Sequence, residues 1–252
     1  MNIGVARPSS LELGKVPHFF IASHSIHEKV TAVTFESYAL EKVKSLFTGN
    51  NVVVMAGGTG MYIQAFCQGM DNIPDVPQQL RNDIISRYNQ YGIEWLQNEV
   101  QQADPGFYKT GEVQNPHRLI RALEVYQYSG RSILDFRRGS KKQRPFKIIK
   151  LALDIPREEL YARINNRVDQ MMENGLLEEV QSLIPFKHLN ALQTVGYKEL
   201  FDYFDGVHSL SHAISAIKTN TRQYAKRQLT WFRKDKDYRW VKPEDFNSNF
   251  KI

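Results

Sequence analysis

Residues 52–65 read VVVMAGGTGMYIQA. Residues 52–56 form a short, apolar, β-branched run, which predicts a buried strand in a parallel sheet. Gly57-Gly58-Thr59-Gly60 then breaks the run, and Met61 to Cys67 reads as the start of a helix. Strand, glycine turn and helix in that order define an α/β architecture, whose ligands gather at the carboxyl ends of strands. The glycines would let backbone N–H groups approach a ligand closely, and the helix N-terminus favours an anion or a polar base edge. Thr59 adds one hydroxyl, able to donate or accept. By spacing alone the same residues better suit a plain strand-to-helix turn with Thr59 as N-cap. The turn is not a P-loop, because no Gly-Lys-Ser/Thr follows it.

Working outward, residues 33–47 carry Phe35, Tyr38, Ala39 and Val43 near helical spacing and predict an amphipathic helix. On the other side, Pro74 and Pro77 open a polar, helix-rich stretch, with helices expected at 78–90, 92–102 and 116–128. FKIIKLALDI, residues 146–155, predicts another interior strand. A long helical pattern follows at 157–184 and a last long helix at 210–234. The expected organisation is an α/β body, residues 1–70 with 145–252, interrupted by a helical insertion at 71–144.

The bulk numbers agree with such a body. The chain has 252 residues, 42% of them hydrophobic, enough to bury a real core. Cys67 is the single cysteine, so no internal disulfide is possible. No apolar run approaches the ~18 residues that span a bilayer, and the N-terminus carries no signal-peptide core. A cytoplasmic protein with no membrane partner is expected. The net charge of +6 is unevenly spread. Residues 137–150 and 218–239 together hold 15 of the 33 basic residues and only 2 of the 27 acidic ones, so the remainder is acidic. Two concentrated basic segments on an acidic body suit a polyanion partner, and equally suit two solvated faces.

Three further stretches carry chemistry. In NPHRLIRALEV, residues 115–125, Pro116 suits the first helical position. Arg118 and Arg121 share one helix face there, as phosphate contacts would require, or as a pair bridged to Glu124 or a neighbour would. LQTVGYK, residues 192–198, sets a glycine beside a tyrosine and a lysine. That group could hold a splayed RNA base, or be a helix-start turn with a half-buried tyrosine. TRQYAKRQLTWFRK, residues 221–234, interleaves basic residues with Tyr224, Trp231 and Phe232, the pattern of nucleic-acid contact. The same helix could instead give its aromatics to the core and only its charges to solvent. His24 and His27 lack the carboxylates or cysteines of a metal site, and Cys67 reads as a small core residue.

In family order, MNIGVARPS, VVVMAGGTGMYIQA, NPHRLIRALEVY, the pattern RxxLYxRINxRVDxMMxxGLxxEV at 157–180, LQTVGYKEL and TRQYAKRQLTWFRK resemble the blocks of the tRNA dimethylallyltransferase (IPP transferase) family. The resemblance covers essentially the whole chain. It implies a P-loop-NTPase-like parallel-sheet core with a helical, tRNA-binding insertion. It also implies transfer of a dimethylallyl group from its diphosphate, with Mg2+, to N6 of the adenine beside the tRNA anticodon. The base is flipped into a channel that the diphosphate enters from the other side. By the resemblance Thr59 is the site residue that contacts the target nucleotide, and Arg81 is a tRNA-contacting position. His117, Arg118, Leu119, Ile120 and Arg121 align with one tRNA-contacting segment. Gln193, Thr194, Val195, Gly196, Tyr197 and Lys198 align with a second. Lys226, Arg227, Gln228, Leu229, Thr230, Trp231, Phe232 and Arg233 align with a third. A monomer acting on the anticodon stem-loop is expected.

The family opens with a strand, a glycine-rich phosphate loop, a helix and a strand ending in Asp-Ser, and this sequence starts just after them. The chain as written is therefore expected to be inactive. The alternatives are a non-catalytic tRNA-binding remnant and an isopentenyltransferase for free adenine nucleotide. The helical insertion and KRQLTWFR argue against the latter, since a free nucleotide needs no such surface.

Overall fold

The computed structural model describes residues 1–5, 7–137, 139 and 141–246. Arg138, one of the basic residues of the 137–150 run, lies outside the described residues. The chain divides into two compact units, Met1–Cys67 with Arg144–Ile252, and Gln68–Gln143.

The first unit opens with the short helix α1 (Ser10–Leu13), closed by a Ser9–Glu12 capping box, and continues into α2 (Ala32–Leu46). The α2 start is fixed by Thr31, whose hydroxyl accepts from the Thr34 N–H and so satisfies an orphan helix donor. Helix α3 (Gly60–Gln68) follows the glycine turn. Ala39 and Val43 of α2 pack on Phe66 of α3, with Cys67 and Phe146 around them. Burial pushes the Cys67 thiol up, as suits an inert core residue. Arg144 fastens this corner from below the α3 C-terminus. It donates to the carbonyls of Phe66 (2.7 Å) and Ala65 (2.9 Å) and to Glu36 (2.8 Å), and both charged side chains are 8% exposed.

In the second unit, α4 (Gln78–Ala103) is two helices in one run. Gly92 takes φ 79°, ψ −172° between them, a left-handed-side φ that a glycine accepts without a Cβ penalty. α5 (Pro105–Thr110) starts on Asp104, whose buried side chain caps Phe107 N–H at 2.9 Å and accepts from Ser132 at 2.7 Å. α6 (Pro116–Ser129) begins with Asn115 as cap and Pro116 at its first turn and ends on the left-handed Gly130. α7 (Ile133–Phe136) completes the unit. Its core gathers Ile84, Leu96 and Val100 of α4, Phe107 of α5, Leu119, Leu123 and Val125 of α6, and Ile133.

The chain re-enters the first unit at β1 (Lys150–Leu153), which pairs in parallel with β2 (Tyr238–Val241), Lys150 opposite Tyr238 and Leu153 opposite Val241. A parallel pair needs a crossover, here the helices between. α8 (Arg157–Glu173) and α9 (Leu176–Ser182) are separated by Gly175 at φ 92°, so the long 157–184 pattern is two helices. α10 (Tyr197–Phe204) and α11 (Leu210–Arg233), capped by Ser209, finish the crossover. Val168, Leu176, Val180, Leu192, Tyr197, Leu200, Phe201, Ala213 and Ile217 form its core. Lys150 bonds Asp235 at 2.6 Å and ties β1 to the turn before β2.

Two strand expectations change. Of residues 146–155 only Lys150–Leu153 is in a ladder. Residues 52–56 belong to no regular element, and Val52 and Val54 are 56% and 82% exposed. A strand exists through a neighbour's N–H and C=O groups, and among the described residues none pairs with this run. Its β-branched composition favours a strand but cannot supply the partner.

Candidate functional site

The glycine turn is shaped by α11. Gln228 Nε2 donates to the Gly58 carbonyl at 2.8 Å. A Cβ on Gly58 would meet the Gln228 amide, and one on Gly60 would meet the indole of Trp231. These two glycines therefore admit protein side chains, whereas the space beside Gly57 is open. The Thr59 carbonyl accepts the first helical N–H groups of α3, from Tyr62 (2.9 Å) and Ile63 (3.1 Å). Thr59 is exposed, and among the described residues no hydrogen bond engages its hydroxyl. The backbone of Thr59 thus starts the helix while its side chain stays uncommitted, so Thr59 is not a side-chain N-cap.

Helix α11 is basic in two different ways. Lys218 bonds Asp169 at 2.6 Å, and Arg222 bonds Asn165 at 2.8 Å, so its first basic residues hold α8. Beyond them Lys226, Arg227, Thr230 and Arg233 are exposed, and Leu229 is half-buried. Tyr224 and Trp231 are 39% and 42% exposed, so the helix shows rings as well as charge. Arg227 lies over its own Tyr224 ring at 5.7 Å, and Arg233 lies over Trp240 at 5.4 Å. Phe232 packs on Tyr238 and faces the strand instead. In the other basic stretch Arg144 and Lys150 are internal ties, so that run is not one continuous basic face.

The 192–198 segment takes the helix-start turn that its sequence also suits, with the tyrosine buried outright. Tyr197 is fully buried, its ring lies against Gly4 and its hydroxyl donates to Glu179 at 2.5 Å. A ring in that position is closed to a stacking base. Gly196, at φ 98°, gives its N–H to Glu199 at 2.8 Å and starts α10. Gln193, Thr194 and Lys198 are exposed, Val195 is half-buried, and Gln193 Nε2 is turned back to the Lys187 carbonyl at 2.6 Å.

Glu179 was invisible to spacing. Its carboxylate accepts the N–H groups of Asn2 (2.6 Å), Ile3 (3.0 Å) and Gly4 (3.1 Å) besides the Tyr197 hydroxyl. Burial alone would push its carboxyl up. The tyrosine hydroxyl and the three amides more than offset that and hold it below its ordinary value. Only the glutamate in the ordered 157–180 block hinted at it, without naming its partners.

In the second unit Leu119 and Ile120 are core residues and present no side chain to a partner. His117 is exposed at the start of α6, and Arg118 is exposed and ion-paired with Glu112. Arg121 bonds Glu124 and the Pro74 carbonyl, the latter at 3.3 Å, while Arg81 Nε lies 3.6 Å from the same Glu124 carboxylate. Among the described residues no group of three His, Cys, Asp or Glu side chains could hold a metal ion, and no helix is long and apolar enough to cross a membrane.

A family model described as IPP transferase matches residues 1–235. The tRNA dimethylallyltransferase 1 of Bacteroides thetaiotaomicron is 45% identical over 244 residues, which is 97% of this chain and 79% of that protein. The tRNA dimethylallyltransferase of Christiangramia forsetii is 47% identical over 249 residues, 99% of this chain and 82% of the relative. The crystal structure of the full-length tRNA isopentenylpyrophosphate transferase of Bacillus halodurans matches with TM-score 0.66 and 32% identity, over 96% of this chain and 77% of that one. A eukaryotic dimethylallyltransferase, seen in crystallographic snapshots acting on tRNA, shares the fold with TM-score 0.74 at 22% identity, over 98% and 66% of the two chains. The fold class is thus the P-loop-NTPase-like α/β core with a helical insertion. The chain belongs to the IPP transferase family, that of the tRNA dimethylallyltransferases.

Proposed function

We propose that the protein transfers a dimethylallyl group from dimethylallyl diphosphate to N6 of the adenine beside the anticodon of tRNA. The observation that carries this reading is the uncommitted Thr59 hydroxyl on a turn that Gln228 and Trp231 hold in place. The N6–carbon bond forms as the carbon–oxygen bond to diphosphate breaks, and that electron pair leaves with the diphosphate while N6 sheds a proton. In-line attack tolerates little misplacement of the amine. A Thr59 hydroxyl that hydrogen-bonds the flipped adenine supplies that aim.

In the same reading Lys226, Arg227, Arg233 and the exposed Trp231 meet RNA on the first unit. Gln193, Thr194 and Lys198 offer polar contacts there. On the second unit Arg81, His117, Arg118 and Arg121 do so, which makes residues 71–144 a tRNA-binding insertion. Magnesium accompanying the diphosphate belongs to this reading too. The described residues hold no cluster fitted to bind it alone, and no step here passes through it. The reading asks for no second copy, since Thr59, Gln228 and Trp231 come from one chain, and it places the work in the cytoplasm beside unmodified tRNA.

The test is incubation with labelled dimethylallyl diphosphate, magnesium and an unmodified tRNA transcript, followed by nucleoside mass spectrometry. Isopentenyladenosine at the adenine beside the anticodon supports this reading, and it overturns the expectation that the chain as written is inactive. A labelled free nucleotide with unlabelled tRNA would replace this reading with one in which a nucleotide is the acceptor.

A further inference from the structure

We infer that Glu124 is a positioning residue, whose buried carboxylate sets Arg81 and Arg121 as a fixed pair for a backbone phosphate of the RNA substrate. The inference rests on the proposal that those two arginines meet tRNA.

Glu124 is wholly buried on α6, between Leu123 and Val125 of the core. A carboxylate in such a place is costly unless cations attend it. Two do. Arg121 bonds Oε1, and Arg81 Nε lies 3.6 Å from Oε2. That distance is within ion-pair reach but too long for a hydrogen bond, and Oε2 has no hydrogen-bond partner. The two arginine side chains are 39% and 31% exposed, so each runs from the buried charge to the surface. Arg121 is locked twice, by Glu124 and by the Pro74 carbonyl. Arg81 is held by charge alone, and its terminal fork has no partner among the described residues. One acid and two bases leave a net positive charge, with one guanidinium anchored by hydrogen bonds and the other held by the ion pair. Bidentate forks are what a phosphate requires, and a preset pair forms that contact at a lower ordering cost.

The sign of one substitution separates positioning from charge. Removing a carboxylate near a polyanion site should tighten RNA binding if only the field matters. If Glu124 positions the arginines, Glu124→Gln should weaken binding instead, because two like charges then repel and splay. The measurement is the affinity for an unmodified tRNA transcript across a salt series, with a circular-dichroism melt of each variant. Glu124→Gln is expected to weaken binding about tenfold at low salt, the scale of a charge-assisted contact. Its salt slope should fall by about one. Arg121→Lys keeps the charge but loses the fork, so it should weaken binding as well, and it serves if Glu124→Gln does not fold. Wild-type or tighter affinity in a folded Glu124→Gln or Arg121→Lys protein overturns the inference. If Arg81→Ala and Arg121→Ala also leave affinity unchanged, the phosphate contact itself is lost. If those two weaken binding while Glu124→Gln does not, only the positioning role falls.

Discussion

Gln228 Nε2 reaches the Gly58 carbonyl at 2.8 Å from 170 residues away, and one turn further along α11 Trp231 lies against Gly60. The two glycines are therefore not equivalent. On Gly58 a methyl group meets the flexible end of a glutamine, which can swing aside and lose one hydrogen bond. On Gly60 it meets a rigid ring. Gly58→Ala should cost about 0.5–1.5 kcal/mol, the worth of that bond. Gly60→Ala should cost about 1–3 kcal/mol, the range of overpacking. Gly60→Ala should also shift the Trp231 fluorescence. Equal melting midpoints for the two variants would show that the indole yields as easily as the amide.

Thr59 follows from the same turn. Its carbonyl does the capping, so Thr59→Ala should change stability by less than about 0.5 kcal/mol, as at an unengaged surface site. Transfer should suffer, with kcat falling more than tRNA affinity, because the lost bond acts in the transition state. Thr59→Ser keeps the hydroxyl and should keep most of the activity. An alanine variant with a lowered melting midpoint and full kcat would return Thr59 to a structural role.

The Glu179–Tyr197 clamp predicts a pH dependence. The folded carboxyl titrates below its unfolded value. Its stabilisation is therefore complete above the ordinary glutamate range and is lost as the pH falls through the lowered value. Glu179→Gln should lower the melting midpoint at neutral pH, and the gap to wild type should narrow in acid. A gap constant down to acid pH would mean that the carboxylate charge contributes nothing there.

What the sequence disclosed, and what it did not, follows from the reach of each signal. Helix limits were legible because caps are local. Thr31, Asn115 and Ser209 each sit beside the N–H groups they satisfy. The run at 52–56 misled because its β-branched residues favour a strand but cannot supply a neighbour for it. Tyr197 beside Gly196 looked like a stacking ring, and only the distant Glu179 and Gly4 show where it packs. Arg121 was legible beside Arg118 on one face of α6, whereas Arg81 on α4 came only from the resemblance. The burial of Glu124, which decides how they are held, depends on α4 and α6 together. The family blocks pointed to the candidate segments, while side-chain burial within each block had to come from the packing.

The last prediction divides α11. Basic residues on one helix usually pass as one electrostatic patch, but here the first two are already spent on α8, Lys218 on Asp169 and Arg222 on Asn165. The later ones, Lys226 and Arg227, make no ion pair among the described residues and stand beside the exposed rings of Tyr224 and Trp231. Neutralising phosphate contacts releases counterions, and each lost contact lowers the salt slope by about one. Lys226→Ala with Arg227→Ala should therefore weaken tRNA binding and reduce the slope by about two, with little change in melting. Trp231→Ala should weaken binding with the slope unchanged, because stacking carries no counterions. Its cost should be about 1–3 kcal/mol if a base stacks there. Lys218→Ala with Arg222→Ala should do the reverse, lowering the melting midpoint while the slope holds. Salt titrations and melts on these three proteins separate the halves. A slope that falls equally for both double variants would make all of α11 one diffuse field and remove the assignment of RNA contact to its C-terminal turns.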